Sequence, residues 1–383
     1  MEKKITLLPI HENSRQYIFL QALKIPTNCL NTLKFISAFI IAFVVHYRHF
    51  PTTRGFPLLN LFRWSYNSGH FLVDLFFMLS GFGMSLGYNE KISRHQITFK
   101  KYIIKRLAKI YPLFLFTLIL ITILEKWHKK LTGKTYVYQN FDCWHFFINL
   151  ILCHNGIFGT EWSFNGPSWC ISICFIMYTI HFAIIYFSKE KTNIIYIYII
   201  LMFLALTIIS MKFRYPFILN TQFGRGLSSF SIGVLLSNIY QNSHKYNTKL
   251  IGYIGLIIIV LYYSIYISNR EKIGNNLFIF IMIISPSIIF SNLYVSWLNK
   301  LLSIKPMIFL GSLSLHIYLL HFNIQCMIRN LDLYYKFQLD YSLKKTWFLY
   351  CCSTILVSAL YKKLAEKGIN FLLTSFAMAF MKS

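Results

Sequence analysis

Hydrophobic residues lie along this chain in long runs such as Phe35–Val45 and Ile257–Ile267, each broken by a single serine. These runs do not alternate between apolar and polar residues, as half-buried strands do. A helix needs about 20 mostly apolar residues to cross the hydrocarbon of a bilayer. The pattern predicts ten transmembrane helices, at about residues 29–50, 69–88, 109–126, 167–188, 192–211, 219–238, 249–268, 275–292, 307–328 and 346–362.

Two further apolar stretches are not predicted to cross. Phe141–Cys153, within the long connection at about residues 127–166, is short and interrupted, which predicts a re-entrant or interfacial piece. The tail Gly368–Met381 follows a charged turn and is expected to lie along the membrane interface. We therefore predict an all-α fold in which residues 1–383 form one polytopic integral membrane bundle, with no appended soluble domain.

Composition supports a membrane protein and excludes several other classes. Of the 383 residues, 56% are hydrophobic and only 13% are charged, too few charges to cover a soluble protein of this size. The polar, basic segment Met1–Thr27 lacks the apolar core of a cleavable signal peptide. None of the eight cysteines has zinc-ligand spacing, so we expect small buried hydrophobes and no metal.

The formal net charge of +26 comes from 38 Lys and Arg residues against 12 Asp and Glu residues. Because the basic residues lie between apolar runs, they indicate membrane topology, and no nucleic-acid partner is expected. A dense cluster follows the second predicted span: Lys100, Lys101, Lys105 and Arg106. Basic loops face the cytoplasm, which predicts that both termini are cytoplasmic.

Ionisable residues inside predicted spans are candidates for function because they are costly to place in a bilayer. These residues are Lys34, His46, Asp74, Lys109, His181, Arg225, His316 and His321. Asp74 is the only acid well inside a span, so it needs a cationic or hydrogen-bonding partner. His316 and His321 lie about 140° apart on a helix, a poor arrangement for one metal ion, and are expected to be packing or headgroup contacts.

Several stretches, taken in order, resemble acyltransferase family 3, the membrane O-acyltransferases that modify bacterial surface glycans. The most specific is the run from Val73 to Phe82, Val-Asp-Leu-Phe-Phe-Met-Leu-Ser-Gly-Phe. A basic residue and a histidine, Lys34 and His46, stand on the first span, as they do in the family. The remaining similar stretches are Lys105–Pro112, Phe223–Gly233, Leu310–His321 and Tyr361–Lys367. The resemblance covers about residues 29–368.

The resemblance implies a multi-pass enzyme of the inner membrane that acts as an O-acetyltransferase. Acetyl-CoA or another acyl-CoA would be the cytoplasmic donor, and the acceptor would be a hydroxyl of a surface glycan or its lipid-linked precursor. His46 would be the general base, since imidazole titrates near neutral pH, and Asp74 or a nearby polar group would orient it. The residues expected to bind substrate or cofactor are Lys34, Lys105, Arg106, Tyr111, Asn165, Trp169, Ser172 and Arg225.

The chain departs from the family pattern at two positions. The family usually has an arginine and a histidine eleven steps apart on the first helix, whereas Lys34 and His46 are twelve steps apart. Twelve regular steps place two side chains about 120° apart, so either the helix contains a bulge or Lys34 has another role. Cys174 stands where glutamate is common, which removes any function that needs a carboxylate there.

Two other functions stay open on the sequence alone. One is a transporter or flippase for a glycan or lipid intermediate, although no paired broken helices are visible in the two halves. The other is an acyltransferase-like protein that has lost activity, as the changes at Lys34 and Cys174 would allow. The basic cluster at Lys105 and Arg106 is either a phosphate site or only a topology signal.

Overall fold

The computed structural model describes residues 27–154, 158, 161–188, 190–212, 220–268 and 276–382. The side chains of Lys191, 365–367 and 369–382 are excepted. The first 26 residues and Ser383 lie outside the described part, so the cytoplasmic location of both termini stays a prediction.

Helices make up most of the described chain and no strand occurs in it, although Asn140 and Ser163 form an isolated bridge. The helices are α1 (Cys29–His49), α2 (Arg63–Ser68), α3 (Leu72–Ser93), α4 (Phe99–Thr132), α5 (Cys143–Leu150), α6 (Trp169–Phe187), α7 (Lys191–Ser210), α8 (Thr221–Gln241), α9 (Thr248–Ile267), α10 (Leu277–Tyr294), α11 (Ser296–Leu302), α12 (Lys305–Ser312), α13 (Ser314–Tyr335) and α14 (Lys344–Lys382). The predicted all-α, polytopic membrane bundle is confirmed.

A helix is present at each of the ten predicted positions, but the helices differ in their capacity to span a membrane. Seven of those described are long and apolar enough to cross, and α12 with α13, bent by 55°, makes an eighth. The remaining two, α8 and α14, have 21 and 39 residues and are more polar. Most of α8 is buried against other helices, so lipid does not require its surface to be apolar.

Glycines allow α3 and α8 to cross in close contact. A Cβ atom at Gly233 would lie 2.0 Å from the carbonyl oxygen of Met78, and one at Gly81 would lie 2.2 Å from that of Phe230. Small residues commonly permit such close backbone contact between membrane helices. This crossing fixes the two helices that carry Asp74 and Arg225.

The first helix changes its winding before His46. It is α-helical over Cys29–Ile40, forms a π-helix over Ile41–Val45 and ends as a 3₁₀-helix over His46–His49. Such changes leave carbonyl groups without their usual partners along the helix, and inside a membrane these groups need other donors. Three side chains donate to them: Tyr350 Oη to Ala42 at 3.2 Å, Trp347 Nε1 to Phe43 at 2.7 Å and Gln325 Nε2 to His46 at 2.9 Å.

The connection between α4 and α6 folds back onto the bundle. Its helix α5 has eight residues, too few to cross a bilayer, as the interrupted pattern of Phe141–Cys153 predicts. The backbone N–H of His145 donates to the Asp142 side chain at the start of α5, and this bond lowers the pKa of the exposed Asp142 carboxyl. At the other end of the chain α14 continues as a helix to Lys382, and the interfacial position of its tail stays a prediction.

Candidate active site

Two histidines from distant parts of the chain form a hydrogen-bonded pair inside the bundle. Nδ1 of His46 on α1 lies 2.7 Å from Nε2 of His321 on α13, and the ring planes are 8° apart. Nδ1 of His321 in turn lies 2.7 Å from the carbonyl oxygen of Tyr318. Each ring is therefore held in a defined orientation, and His321 is more than the packing or headgroup contact expected from the sequence.

The surroundings of the pair are basic and partly open. His46 is half-buried and His321 is fully buried. Arg48, His49 and His70 lie close enough to His46 to interact with it electrostatically, and Arg48 and His70 are exposed. The site therefore combines a held imidazole with an accessible lining that includes the cation Arg48.

Asp74 is bound to Arg225 rather than to His46. Arg225 donates from Nε to both carboxylate oxygens at 3.1 and 3.2 Å, and from Nη2 to Oδ2 at 2.6 Å. Nη2 also donates to the carbonyl oxygen of His70 at 3.1 Å, and the guanidinium lies 5.3 Å from the centre of the Trp169 ring. A fully buried carboxylate needs such a charged, forked partner. The expectation that Asp74 orients the imidazole has no support in this geometry.

A second group of cations lies towards the other end of α1. Lys34 is close enough to Arg106 and Lys109 on α4 for electrostatic interaction. Arg106 also donates to the Tyr88 hydroxyl, with its guanidinium 4.8 Å from the centre of that ring. Lys105, predicted to share this role, is exposed on the same helix. Like charges rarely converge without a function, so this group is a candidate anion site.

The π-helix explains the unusual spacing of Lys34 and His46. A π turn accommodates one extra residue, so twelve steps through it rotate the chain about as far as eleven regular steps, which end about 20° past three full turns. Both side chains are half-buried, consistent with one shared interior face. With the rise of about eleven regular steps at 1.5 Å each, they lie roughly 17 Å apart along the helix. Of the two alternatives left open by the sequence, the structure contains the bulge.

Three of the predicted binding residues connect the α4–α6 segment to the bundle. Tyr111 Oη donates to the Leu150 carbonyl at 2.9 Å, and Ser172 Oγ donates to the His154 carbonyl at 2.7 Å. Asn165 Nδ2 donates to the Leu319 carbonyl at 3.0 Å. These contacts hold backbone carbonyl groups in place. For Tyr111 and Ser172 they give no indication of direct contact with a substrate. The Asn165 Oδ1 atom, by contrast, is buried without a hydrogen-bond partner.

Aromatic rings surround the end of the bundle near the histidine pair. Tyr138 lies 5.2 Å from Phe322 and 6.3 Å from Trp162, and Trp162 meets Trp169 edge-on at 6.0 Å. Beneath them, His154 packs against Phe114, with Nε2 3.2 Å from the Ser168 hydroxyl. Burial lowers the pKa of His154 to about 4, so this imidazole is neutral at pH 7. The predicted residue Trp169 therefore belongs to an aromatic wall that also contacts Arg225.

Cys174, at the position where the family often has glutamate, lies within hydrogen-bonding range of the Ser80 and Tyr178 side chains. The two hydroxyls themselves are 2.9 Å apart. Neutral groups thus replace a carboxylate here. The described residues contain no group of three or more His, Cys, Asp and Glu side chains arranged to hold a metal ion.

Sequence reasoning missed His321 and Lys109 as members of the two clusters. His321 ends the family-like stretch Leu310–His321, and Lys109 lies within Lys105–Pro112, so the resemblance did contain both. Helical spacing was the wrong guide to His321, because its partner is on α1 rather than on its own helix.

The fold and the ionisable interior define a polytopic helical membrane protein with an enzyme-like site. A sequence profile described as an acyltransferase domain matches residues 27–363. The chain therefore belongs to acyltransferase family 3 and is a membrane acyltransferase, which confirms the resemblance. No curated protein and no solved structure gives a significant match to it.

Proposed function

We propose that this acyltransferase is an O-acetyltransferase of the inner membrane. It takes the acyl group from cytoplasmic acyl-CoA and transfers it to a hydroxyl of a surface glycan or of its lipid-linked precursor. One observation carries the proposal: the π-helix in α1 brings the cation Lys34 and the imidazole of His46 onto about the same face, the arrangement that an extended donor requires.

The cation group suits the donor. Coenzyme A carries phosphates at one end and the thioester at the other, joined by an extended pantetheine arm. Lys34, Arg106 and Lys109 supply positive charge for the phosphates, with Arg106 able to form forked hydrogen bonds. The roughly 17 Å of helix rise between Lys34 and His46 then leaves the arm room to bring the thioester to the imidazole.

The imidazole suits proton transfer. His46 accepts the proton of the acceptor hydroxyl while its oxygen attacks the thioester carbonyl carbon. The carbon–sulfur bond then breaks, and the proton passes to the departing thiolate, which gives an ester and free coenzyme A. The thioester is already activated, so neither a metal nor a covalent intermediate is needed for this step. Asp74 holds Arg225 in place at the aromatic wall.

The proposal is tested with purified protein in proteoliposomes, by following release of the coenzyme A thiol in the presence of an acceptor glycan. His46→Ala is expected to reduce turnover by about 10²–10⁴-fold, the usual contribution of a general base. His181→Ala is the control, because His181 is a histidine inside the bundle, on another helix, that bonds only to Tyr198 among the described residues. A His46→Ala protein that keeps more than about a tenth of the wild-type rate contradicts the assignment.

A transporter or flippase would give a different result from an acetyltransferase. Mass spectrometry of surface glycans from cells with and without the gene separates the two functions. Loss of one acetyl mass from an otherwise normal glycan supports the acetyltransferase. Loss of the glycan itself, with no consumption of acyl-CoA by the purified protein, supports a transporter or flippase.

A further inference from the structure

Hydrogen-bonding rules determine which nitrogen of each histidine in the pair carries a proton. A backbone carbonyl oxygen only accepts, so the contact with Tyr318 requires that His321 Nδ1 carries the hydrogen. In a neutral imidazole the other nitrogen then has a lone pair. His321 Nε2 is therefore an acceptor, and the short contact with His46 requires that His46 Nδ1 is the donor.

From this chain of donors and acceptors we propose that His321 is a positioning residue that holds His46 in the Nδ1–H tautomer and stabilises its charged form. The inference rests on the proposed function and adds a second residue to it. His46 Nε2 is then left with the lone pair that accepts the proton of the acceptor hydroxyl. Once His46 is protonated, its Nδ1–H remains bonded to a neutral imidazole nitrogen, which disperses the charge.

The Nε2 atom of His46 is free for this purpose. In the described part of the chain no protein group bonds to it, and the atom is not fully buried. His46 as a whole is half-buried, in agreement with access to this nitrogen. The opposite tautomer would place a hydrogen at Nε2 and bring two lone pairs together between the rings.

Side chains that bond to backbone carbonyl groups hold the pair in place. Gln325 follows His321 by one helical turn on α13, and its amide donates to the carbonyl oxygen of the same His46 at 2.9 Å. Tyr350 on α14 donates to the carbonyl oxygens of both Ala42 and His321 at 3.2 Å. Three helices thus hold the two rings in register. In a protein triad an acid performs this orienting role, but here the buried acid Asp74 is bound to Arg225.

Two substitutions at position 321 separate positioning from packing. His321→Met keeps a side chain of similar size but removes the nitrogen acceptor, whereas His321→Gln retains an oxygen that can accept from His46. We expect His321→Met to lower kcat by about 100-fold with a KM for acyl-CoA within about threefold of wild type. His321→Gln is expected to recover at least about tenfold of that loss. Equal kcat values for the two variants, at equal thermal stability, would overturn the proposal.

The tautomer can be measured on the wild-type protein, with a variant needed only to assign the signals. Nitrogen NMR of the wild-type protein labelled with ¹⁵N-histidine, with His46→Gln used to assign the signals, should show a protonated Nδ1 and an unprotonated Nε2 for His46 at neutral pH. A protonated Nε2 would overturn the inference. This measurement does not depend on activity, so failure of acyl transfer by the wild-type protein would count against the proposed function alone.

Discussion

At the scale of single residues, a buried ion pair between Asp74 and Arg225 joins α3 to α8. Asp74 is fully buried, and Arg225 is mostly buried, with 13% of its side chain exposed. Removing one partner from a buried pair leaves the other uncompensated, at a cost of about 3–5 kcal/mol. Loss of either partner should therefore destabilise the fold, whatever the pair adds to catalysis.

A double-mutant cycle tests this pair. Asp74→Asn and Arg225→Gln should each lower the melting temperature in detergent, and the double variant should lose less than the sum of the single losses. The control is the exposed pair of Glu90 and Arg94 at the end of α3, where Arg94→Gln should cost less than about 1 kcal/mol. Additive losses at Asp74 and Arg225 would show that the two side chains are not energetically coupled.

At the level of elements, the π-helix in α1 is the feature that aligns Lys34 with His46. A deletion within Ile41–Val45 leaves eleven steps, which a regular α-helix aligns to within about 20°. An insertion leaves thirteen, so His46 is rotated by about 100° further unless a second bulge forms. If the alignment of Lys34 with His46 matters for activity, the deletion should therefore be less harmful than the insertion.

Deletion of Ala42 is expected to retain at least about a tenth of the acyl-transfer rate per inserted molecule, whereas an alanine inserted after Ile40 should reduce it by about 100-fold. The rate is measured as thiol release from acyl-CoA in proteoliposomes containing equal amounts of protein. If deletion and insertion are equally harmful, alignment of Lys34 with His46 is not what the π-helix provides.

The crossing of α3 and α8 gives a second test at this scale. Gly233→Ala should destabilise the bundle, because the added Cβ would overlap the carbonyl of Met78. Overpacking of this kind costs about 1–3 kcal/mol. Gly83→Ala on α3 is the matched control, since its Cβ meets nothing within 4 Å. Thermal unfolding in detergent should separate the two variants, and equal melting temperatures would contradict the close crossing.

At the scale of the whole molecule, the question is whether the polar helix α8 crosses the bilayer. A bundle with ten crossings places the end of α7 and the end of α8 on opposite sides. The described helices that are apolar enough to cross number seven or eight, and α8 is not one of them. Its burial inside the bundle is our reason to count it as a crossing helix.

Side-specific labelling decides this point. With the native cysteines replaced, a cysteine at Lys212 should be labelled by an impermeant thiol reagent from outside the cell, and one at His244 only after the membrane is permeabilised. The positive-inside rule predicts this orientation from the basic cluster at the start of α4. Labelling of both positions from the same side would show that α8 does not cross.

The sequence by itself determined the membrane class, the positions of the ten helices and the ionisable residues among them, because the bilayer demands long apolar segments and makes each exception conspicuous. It also supplied the family, through the order of its motifs. Only the tertiary structure decided which of these residues meet. His46 pairs with His321 at a separation of 275 residues, and Asp74 with Arg225 at 151. Periodicity describes one helix at a time, whereas these contacts depend on how several helices pack and on one irregular turn in α1.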